Sequence, residues 1–413
     1  MKNNPFLSNI FVSTWLKHFN DSKPAFTFKF IKEVAFVKNK HLPLYVNVGK
    51  NLTNGIGYTL DENETDFKSK VFFIYDIPEY FEVHNQLHGS LKLKTVRQYV
   101  GYLANLNTYK SIEDYLSDQF STNSRWKIKK SKRRLEACFN IRYGVLYGQD
   151  TLKDDFDFAF GYFHKLLVKR FTEKQINNHY LSQKKWTYLQ DVIYHMILEN
   201  KAALFVIYND NIPISVYLNY ASPTILYSAL PVFDPDYSKF NIGYIDNIKH
   251  IEWCIENKID IFDFSKGDYD YKKRLGNKAY HFDYHILYDS KSILATVIAQ
   301  FIFLYFKGKQ YLRDLNINVL FHKAIYFIKG KKNTIIPLDY DSIEIDKLPP
   351  EDTLIKRDFS SISNEAMKKF LIDFLYKKSE SINTISIFEV KNATHTYIVQ
   401  TKDGIEKIRC HSK

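Results

Sequence analysis

The order of strands and helices between Leu204 and Phe264 constrains the fold more than any other part of the sequence. Two apolar runs, "ALFVIY" and "IPISVYLNY", flank residues 209–211, "NDN", a pattern typical of a tight antiparallel hairpin. A third strand, "TILYSALPVF", precedes an amphipathic helix over residues 244–257 and a strand over residues 259–264. A helix that connects two strands normally places them parallel and adjacent. The sequence therefore predicts a mixed α/β sheet with flanking helices.

Length and cysteine usage indicate a globular protein from a reducing compartment. The chain has 413 residues, 45% of them hydrophobic, which is enough for two or three domains with their own cores. Three scattered cysteines, Cys138, Cys254 and Cys410, form neither a disulfide framework nor a metal-ligand spacing. The N-terminal segment shows no sustained apolar core and no small-residue cleavage site. We therefore expect a cytoplasmic protein.

An uncharged segment over residues 292–306, "SILATVIAQFIFLYF", raises the question of membrane contact. As a helix it covers about 22 Å, which is short of the roughly 30 Å hydrocarbon layer of a bilayer. A buried helix is the simpler interpretation. The following "NINVLFHKAIYFIKGKK" is amphipathic and basic, so peripheral contact with the inner face of a membrane through residues 292–328 stays open.

The net charge of +12 favours anionic partners such as nucleotides, phosphates, nucleic acid or anionic lipid. The densest basic run, Arg125 to Arg134, holds seven cations in ten residues and no acid. It is either a solvated helix face or a docking surface for an anionic acceptor or nucleic acid. We name Arg125, Lys129 and Arg133 as candidate substrate-binding residues within it.

Two places in the sequence have the residue types that group-transfer chemistry needs. Gly243 stands where a strand gives way to a helix, so unpaired backbone N–H groups there suit a phosphate, with Lys239 close enough to add charge. The second place is "IDIFDFSKGDYDYKKRLG", residues 259–276, where a buried strand ends in a dense cluster of acids, tyrosines and cations. A strand that merely leaves its sheet needs one turn residue, so the cluster calls for another explanation.

Two histidine pairs have a spacing of four residues, His84 with His88 and His281 with His285. On a strand the second pair would share one face beside Asp283. No third ligand is evident for either pair, so we expect no metal ion.

The stretch from Leu204 to Tyr288 resembles the C-terminal half of the GNAT-superfamily acetyltransferases. More closely it resembles the cellulose-biosynthesis branch, the CelD/BcsL type, in which an aromatic-Asp-aromatic strand leads into Gly-Asp-x-x-Tyr-Lys. Here those positions are residues 262–264, "FDF", and 267–272, "GDYDYK". The Ser-Pro-Gly-like turn before the cofactor helix of the family is replaced by Asn241-Ile242-Gly243, which keeps the glycine and lacks the proline.

Two upstream segments extend the resemblance to roughly residues 1–330. The segment "STNSRWKIKKSKRRLE" is similar to the basic helix of the family, and "NPFLSNIFVSTWLKHF" is similar to its N-terminal segment. The implied fold is a mixed, mostly antiparallel GNAT sheet with two GNAT-like halves, related to FemAB-like double-GNAT proteins. The expected units are an N-terminal half (1–110), a complete acyltransferase domain (111–290) with a basic helix (121–137), a helical extension (291–345) and a small α+β unit (346–413).

The resemblance also implies a cofactor, acetyl-CoA or another acyl-CoA, and its binding residues. The pantetheine arm would lie between two parting strands, "TILYSALPVF" and "IDIFDFS". Backbone amides at Leu230, Pro231 and Val232 would hold the thioester carbonyl. The pyrophosphate would meet Asn241, Ile242, Gly243 and Tyr244, with Lys239 nearby.

The charged cluster would then line the acyl site. Asp268 would act as the base, since a positioned base contributes about 10² to 10⁴ in rate, and Tyr271 would donate to the departing thiolate. Lys272 would keep Asp268 ionised or bind an acidic acceptor, and Asp263 would bind substrate. In the structural alternative, Asp268 caps the next helix and Tyr271 packs in the core.

These implications lead to an acyl-CoA-dependent N- or O-acyltransferase that acts by direct transfer. The expected acceptor is a sugar, a sugar nucleotide or another cell-envelope precursor. Two alternatives remain: an aminoacyl-tRNA-dependent FemAB-like transferase, and a degenerate GNAT that binds a ligand without catalysis. The sequence does not define the oligomeric state.

Overall fold

A computed structural model describes residues 3–81, 83, 87–174, 179–315 and 339–411. The main body is a ten-stranded sheet with helices on both faces. The first twelve strands are β1 (Ile31–Lys32), β2 (Phe36–Lys38), β3 (Leu44–Asn47), β4 (Thr59–Leu60), β5 (Val71–Pro78), β6 (Leu91–Asn105), β7 (Ile141–Leu146), β8 (Ala202–Asn209), β9 (Ile212–Ala221), β10 (Ile225–Phe233), β11 (Ile261–Lys266) and β12 (Lys278–Asp289). The first eight helices are α1 (Asn9–Phe19), α2 (Ile112–Gln119), α3 (Thr122–Cys138), α4 (Lys153–Glu173), α5 (Gln183–Leu198), α6 (Ile242–Glu256), α7 (Asp270–Leu275) and α8 (Ile293–Asp314).

The large sheet is mostly antiparallel, which confirms the expected fold class. Its order is β2-β3-β5-β12-β6-β11-β10-β9-β8-β7, and β1 pairs with β4 in a separate ribbon. The pairs β3–β5 and β10–β11 are parallel, and the other neighbours are antiparallel. Strand β12 lies between β5 and β6, so the segments 1–110 and 111–290 are joined in one continuous sheet.

Side chains alternate between two cores because successive strand residues point to opposite faces. On β8, Leu204 and Val206 join the cluster under α1, α4 and α5, while Phe205 joins the cluster under α2 and α6. Buried aromatic rings dominate the first cluster. The sheet is therefore buried on both faces, which fixes its strands as a rigid frame for the loops at their ends.

Strands β10 and β11 form the predicted strand–helix–strand unit with α6 between them. They pair in parallel at only three positions, the last of which is Tyr227 opposite Asp263. Beyond this pair β10 continues along β9 to Phe233, whereas β11 continues along β6 to Lys266. We call the resulting gap between the two strands the fork.

The C-terminal unit is a five-stranded antiparallel sheet with one helix against it. Its elements are β13 (Asp339–Ile345), β14 (Leu354–Arg357), α9 (Glu365–Lys378), β15 (Ser386–Val390), β16 (Thr396–Gln400) and β17 (Ile405–His411), with sheet order β13-β17-β16-β15-β14. Because β13 pairs with β17, the unit includes residues 339–345, which we had assigned to the helical extension. That extension is described as a helix over α8, and residues 316–338 lie outside the described part of the chain.

The C-terminal unit packs on the elements that precede and support α6. Phe370 and Leu371 of α9 share a buried cluster with Leu135 of α3 and with Phe240, in the short turn before α6. Lys239, in the same turn, forms a 2.6 Å salt bridge with Asp373 of α9. The unit is thus part of the scaffold around the fork.

Helix α8 packs along β6 and β12 through one face. Ser292 caps its N-terminus by accepting a hydrogen bond from the Ala295 N–H. Within the described residues, no helix combines the length and apolar character needed to cross a bilayer.

The packing of α9 predicts that Leu371→Ala destabilises the whole protein. Leu371 is fully buried, and truncation of such a side chain costs about 2–4 kcal/mol of unfolding free energy. Leu312→Ala on α8 is the matched control, because Leu312 is half exposed and should lose much less. Urea unfolding followed by circular dichroism measures both. A separate early transition in Leu371→Ala, with the main transition unchanged, would show that the unit unfolds independently.

Candidate active site

The base of the fork is closed by Asn54, a residue from the N-terminal part of the chain. Its side-chain Nδ2 donates to the Ser228 carbonyl on β10 at 3.0 Å and to Ser265 Oγ on β11 at 2.7 Å. This amide therefore links the two strands just beyond their last backbone pair. On β10 the link lies at Ser228, one residue after Tyr227. The gap has a defined polar floor.

Asp263 fixes the backbone at the end of β11. Its carboxylate accepts hydrogen bonds from the hydroxyls of Tyr280 at 2.6 and 2.7 Å, from Tyr80 at 2.8 Å, and from the Ser265 N–H at 2.7 Å. Ser265 has a positive φ of 60°, a conformation that serine adopts rarely. The Asp263 side chain is fully buried, so in this structure it contacts protein groups rather than a substrate cleft.

Lys272 is also buried, and it lies against the same strand end. Its Nζ donates to the Lys266 carbonyl at 2.6 Å and to the Ser265 carbonyl at 3.2 Å. Burial lowers the pKa of Lys272 to about 8. The ammonium therefore satisfies carbonyls that β11 leaves unpaired as its ladder with β6 becomes irregular.

Asp268 is exposed and pairs with Lys273, not with Lys272 as expected. Lys273 Nζ lies 2.7 Å from Asp268 Oδ1, and the Tyr102 hydroxyl donates to the same oxygen at 2.8 Å. The hydrogen bond from Lys273 is the main reason that the pKa of Asp268 lies below its usual value. A carboxylate held in this way is a weaker base than the sequence-based hypothesis requires. It does not cap α7, whose N-terminal residue has no side-chain cap.

Tyr271 of α7 packs against the buried cluster that contains Tyr217 of β9 and Leu226 of β10. It is half-buried and interacts electrostatically with Arg170 and Tyr217. Tyr217 shares a 2.6 Å hydrogen bond with Ser228 Oγ, and Arg170 Nη1 donates to the Pro231 carbonyl at 3.2 Å. Burial raises the pKa of Tyr271 to about 12, so the phenol is protonated at neutral pH. These groups form a polar wall across the fork.

The free part of β10 carries the three residues expected to hold a thioester carbonyl. The pairing register with β9 shifts between Ser228 and Leu230, which marks a bulge. Pro231 has no N–H and its carbonyl accepts from Arg170, whereas Leu230 and Val232 have an N–H but lie opposite Leu218 and Val216 in the ladder with β9.

A cleft of about 610 Å³ opens at the N-terminus of α6. Its lining residues are Gln119, Phe120, Ser121, Ser124, Lys127, Ile128, Ser131, Asn241, Tyr244, Ile245, Lys273 and Arg274. Asn241 adopts a left-handed conformation and donates through Nδ2 to Ser131 Oγ at 3.0 Å, and no side chain caps the helix. The first-turn N–H groups of a helix have no intrahelical partner, so the cleft has the features of an anion site with three cations on its walls.

Gly243 and Lys239 have structural partners that the sequence did not reveal. A Cβ built on Gly243 would lie 3.0 Å from the ring of Phe233, so this glycine lets α6 pack against the end of β10. The cleft is lined by its neighbours Asn241 and Tyr244. Lys239 is paired with Asp373 and does not line the cleft, so part of its charge is neutralised.

Helix α3 presents a different stripe to the cleft from the one expected. Ser124, Lys127, Ile128 and Ser131 line it, whereas Arg125, Lys129 and Arg133 do not. Arg125 contacts Thr122 Oγ1 at 3.1 Å, and the other two are exposed. The basic helix therefore has one cation on the cleft wall and further cations on the outer surface.

The histidines do not converge on a metal site. Within the described part of the chain, no group of three or more ligand side chains could hold a metal ion. His285 contacts the Tyr58 hydroxyl at 2.8 Å, and burial lowers its pKa to about 4, while His281 lies 3.3 Å from Glu79. His84 lies outside the described residues.

Comparison with known proteins agrees with this geometry. Residues 122–273 match the Acetyltransferase (GNAT) domain family. This segment spans α3 to α7 and so contains both strands of the fork. The match confirms the expectation of an acyltransferase with a GNAT domain at these residues, whereas the narrower assignment to the CelD/BcsL branch stays a prediction. No curated protein matches the chain significantly.

Several solved structures overlap much of the chain at low identity. L-PGS from Bacillus licheniformis is 11% identical, with a TM-score of 0.40 over 73% of this chain and 98% of that one. FemX is 10% identical, with a TM-score of 0.41 over 61% and 83%. A tandem GNAT protein of the clavulanic acid pathway is 7% identical, with a TM-score of 0.32 over 66% and 94%. Similarity at this level does not identify a substrate.

Sequence reasoning missed the side chains that come to the fork from distant elements. Asn54, Arg170 and Tyr217 lie outside the charged cluster, and long-range folding brings them in. A weak signal existed for Asn54, since Asn54-Gly55 is a turn-forming pair. For Arg170 and Tyr217, nothing in the local pattern separates them from other residues of a helix and a strand.

The burial of Asp263 predicts a pH-dependent stability. Burial outweighs its hydrogen bonds and raises its pKa from 3.8 to about 6. The folded state then binds the proton more tightly than the unfolded state, so the stabilising contribution is present below pH 3.8 and is lost as the pH rises through 6. Between pH 4 and pH 7 this loss amounts to about 2 kcal/mol. Because the lowered pKa of His285 acts in the opposite direction over this range, the effect is measured against the wild type. The unfolding free energy of Asp263→Asn should rise by about 2 kcal/mol relative to that of the wild type between pH 4 and pH 7, as urea unfolding at several pH values would show.

Asp268→Asn is the control for this experiment, because Asp268 is an exposed carboxylate in the same loop with a pKa shift of opposite sign. It should retain the wild-type pH dependence between pH 4 and pH 7. An Asp263→Asn profile parallel to that of the wild type would contradict the assignment.

Proposed function

We propose that this protein is an acyl-CoA-dependent acyltransferase, with acetyl-CoA as its donor, that transfers the acyl group directly to nitrogen or oxygen of an acceptor. The observation that carries the proposal is the fork between β10 and β11, which stands next to a cation-lined cleft at the N-terminus of α6. A slender pantetheine arm needs a slot between strands, and its phosphates need N–H donors and positive charge. The fork and the cation-lined cleft both lie within residues 122–273, the segment that matches the GNAT domain family.

The cleft residues suit the phosphates of coenzyme A. Lys127, Lys273 and Arg274 supply charge from α3 and α7. The N–H groups of Asn241 and Tyr244 already donate to the carbonyls of Ser238 and Asn241, so the backbone donors that α6 offers are those of Ile242 and Gly243. Lys273 is shared with Asp268, so its availability depends on that ion pair. Lys127 and Arg274 form no salt bridge with the described residues, but Arg274 interacts with the Tyr244 side chain, so Lys127 is the cation most directly available to a phosphate.

The chemistry requires one proton to leave the acceptor and one to reach the leaving thiolate. The acceptor nitrogen or oxygen attacks the thioester carbonyl carbon, the new acyl bond forms, and the carbon–sulfur bond breaks. Tyr271 donates its phenolic proton to the departing sulfur, because it is protonated at neutral pH. The acceptor proton passes to solvent or to Asp268, which retains its basicity only in part beside Lys273.

The acceptor class rests on the resemblance to polysaccharide-linked enzymes, which favours a sugar, a sugar nucleotide or another envelope precursor. A second candidate is an aminoacyl-tRNA-dependent transferase. It is favoured by the exposed cations Lys129, Lys130 and Arg133 on the outer surface of α3, none of which forms a salt bridge within the described ranges. A non-catalytic GNAT that only binds its ligand is the third.

Acetyl-CoA should bind with an affinity that depends on Lys127. Lys127→Ala should weaken binding about threefold to tenfold, because a partly screened charge pair contributes roughly 1 kcal/mol. Titration calorimetry on the full chain measures it. Lys130→Ala is the control, since Lys130 lies outside the cleft with its Nζ 4.7 Å from the ring centre of Trp126.

Other outcomes would separate the candidates. No acetyl-CoA binding, together with tRNA binding that falls steeply with salt, would support the tRNA-dependent transferase and overturn the acyl-CoA proposal. Binding without thioester turnover toward any acceptor in a panel of amino sugars and sugar nucleotides would support the non-catalytic alternative.

Tyr271→Phe should reduce the rate of thiol release by about 10² or more, with little change in acetyl-CoA affinity, because it removes one general acid and no cleft contact. Tyr269→Phe is the control, since Tyr269 is largely exposed in the same loop. Asp268→Asn should cost less than Tyr271→Phe because of its ion pair. A larger loss in Asp268→Asn would restore Asp268 as the essential base and contradict the role given to Tyr271.

A further inference from the structure

Helix α8 has one uncovered apolar face. The side chains that form it are between half and five-sixths exposed: Ile293, Leu294, Val297, Phe301, Leu304, Tyr305, Tyr311 and Leu312. Their spacing of three and four residues places them on one side of the helix. Single exposed apolar residues are ordinary, but a continuous face of this kind marks an interaction surface. We call these eight residues the α8 face.

The opposite side of α8 is already occupied. Ala295, Ile298, Ala299 and Ile302 are buried in a cluster with residues of β5, β6 and β12. The helix is therefore attached to the sheet through this side, which leaves the α8 face without a cover among the described residues. A helix held in this way lies flat against whatever covers it.

Positive charges border the α8 face on both sides. At 100° per residue, Lys307 and Lys309 fall on opposite flanks of the apolar stripe, and both are exposed. Neither forms a salt bridge with the described residues, and their ammonium groups lie 5.7 and 6.0 Å from the ring centres of Phe303 and Phe306. Lys94 of β6 adds a third cation beside Phe303. The helix has no acidic residue before Asp314.

An anionic bilayer is the partner that this pattern fits. An apolar stripe with lysines on its flanks lets aromatic and aliphatic side chains enter the acyl boundary while ammonium groups contact the headgroups. A second copy of the chain fits poorly, because a two-fold contact through this face would bring together flanks that both carry lysines and lack acids. The net charge of +12 also favours attraction to an anionic bilayer.

We propose that the α8 face binds in the plane of an anionic lipid bilayer and places the protein at a membrane surface. The proposal does not depend on the acyltransferase reaction. It concerns surface attachment through one helix face and no membrane-spanning segment.

The test is sedimentation of the full chain with vesicles of phosphatidylcholine alone or with about a third phosphatidylglycerol. The wild type should bind the anionic vesicles and bind the neutral ones at least tenfold more weakly. Val297→Asp/Phe301→Asp should lose at least tenfold in binding to anionic vesicles, since it places two charges on the apolar stripe. Lys307→Gln/Lys309→Gln should lose tenfold or more and show a flatter salt dependence.

Phe158→Asp is the matched control, because Phe158 is a similarly exposed aromatic residue on α4, away from the α8 face. It should bind like the wild type. All variants change exposed positions, and circular dichroism checks that each is folded.

Three results would overturn the proposal. The first is a wild type that binds neither kind of vesicle. The second is undiminished binding by Val297→Asp/Phe301→Asp. The third is an absence of vesicle binding together with a concentration-dependent dimer in sedimentation velocity that Val297→Asp/Phe301→Asp abolishes. That result would identify a second copy of the chain as the partner.

Discussion

The short parallel ladder between β10 and β11 is the constraint on which the rest of the site depends. Three residue pairs hold the strands together, and beyond them the backbone groups of each strand that point toward the other strand lose their partners. Buried backbone groups without partners are costly, so other groups must satisfy them. Asn54, Lys272 and Arg170 do this at the Ser228, Ser265, Lys266 and Pro231 carbonyls. The gap is therefore stabilised by side chains from three parts of the chain.

This accounts for the dense charged cluster at the end of β11. Asp263 and Lys272 interact electrostatically, and burial moves their pKa values toward each other, to about 6 and about 8. Both are thus mainly charged only in a narrow interval around neutral pH. Buried opposite charges are tolerated when each is hydrogen-bonded, and here every contact also orders the backbone between Asp263 and Gly267. Much of the cluster is structural, while Tyr271 is the member to which the proposed reaction gives a chemical role.

The sequence predicted the frame of the fold better than the details of the site. The hairpin at residues 209–211, the parallel strand pair joined by α6 and the mixed sheet all follow from local periodicity and connection rules, which act over short distances. The insertion of β12 between β5 and β6 did not follow, because pairing between strands nearly 200 residues apart leaves no local signal. The sequence also could not distinguish Lys273 from Lys272 as the partner of Asp268. The two are adjacent, and only the start of α7 decides which points inward.

The contact between α9 and the turn before α6 makes the C-terminal unit an energetic participant in events at the cleft. Lys239 and Phe240 of this turn contact α9 through the Asp373 salt bridge and a shared buried cluster, so an anion that held residues 239–244 in place would also stabilise these contacts. By thermodynamic reciprocity, a change that loosens the C-terminal sheet would weaken the binding of that anion by the same coupling free energy. A unit that does not contact the transferred group would in this way change how much of the cleft is occupied by the anion. Regulation through this unit would alter ligand binding and leave the chemical step unchanged.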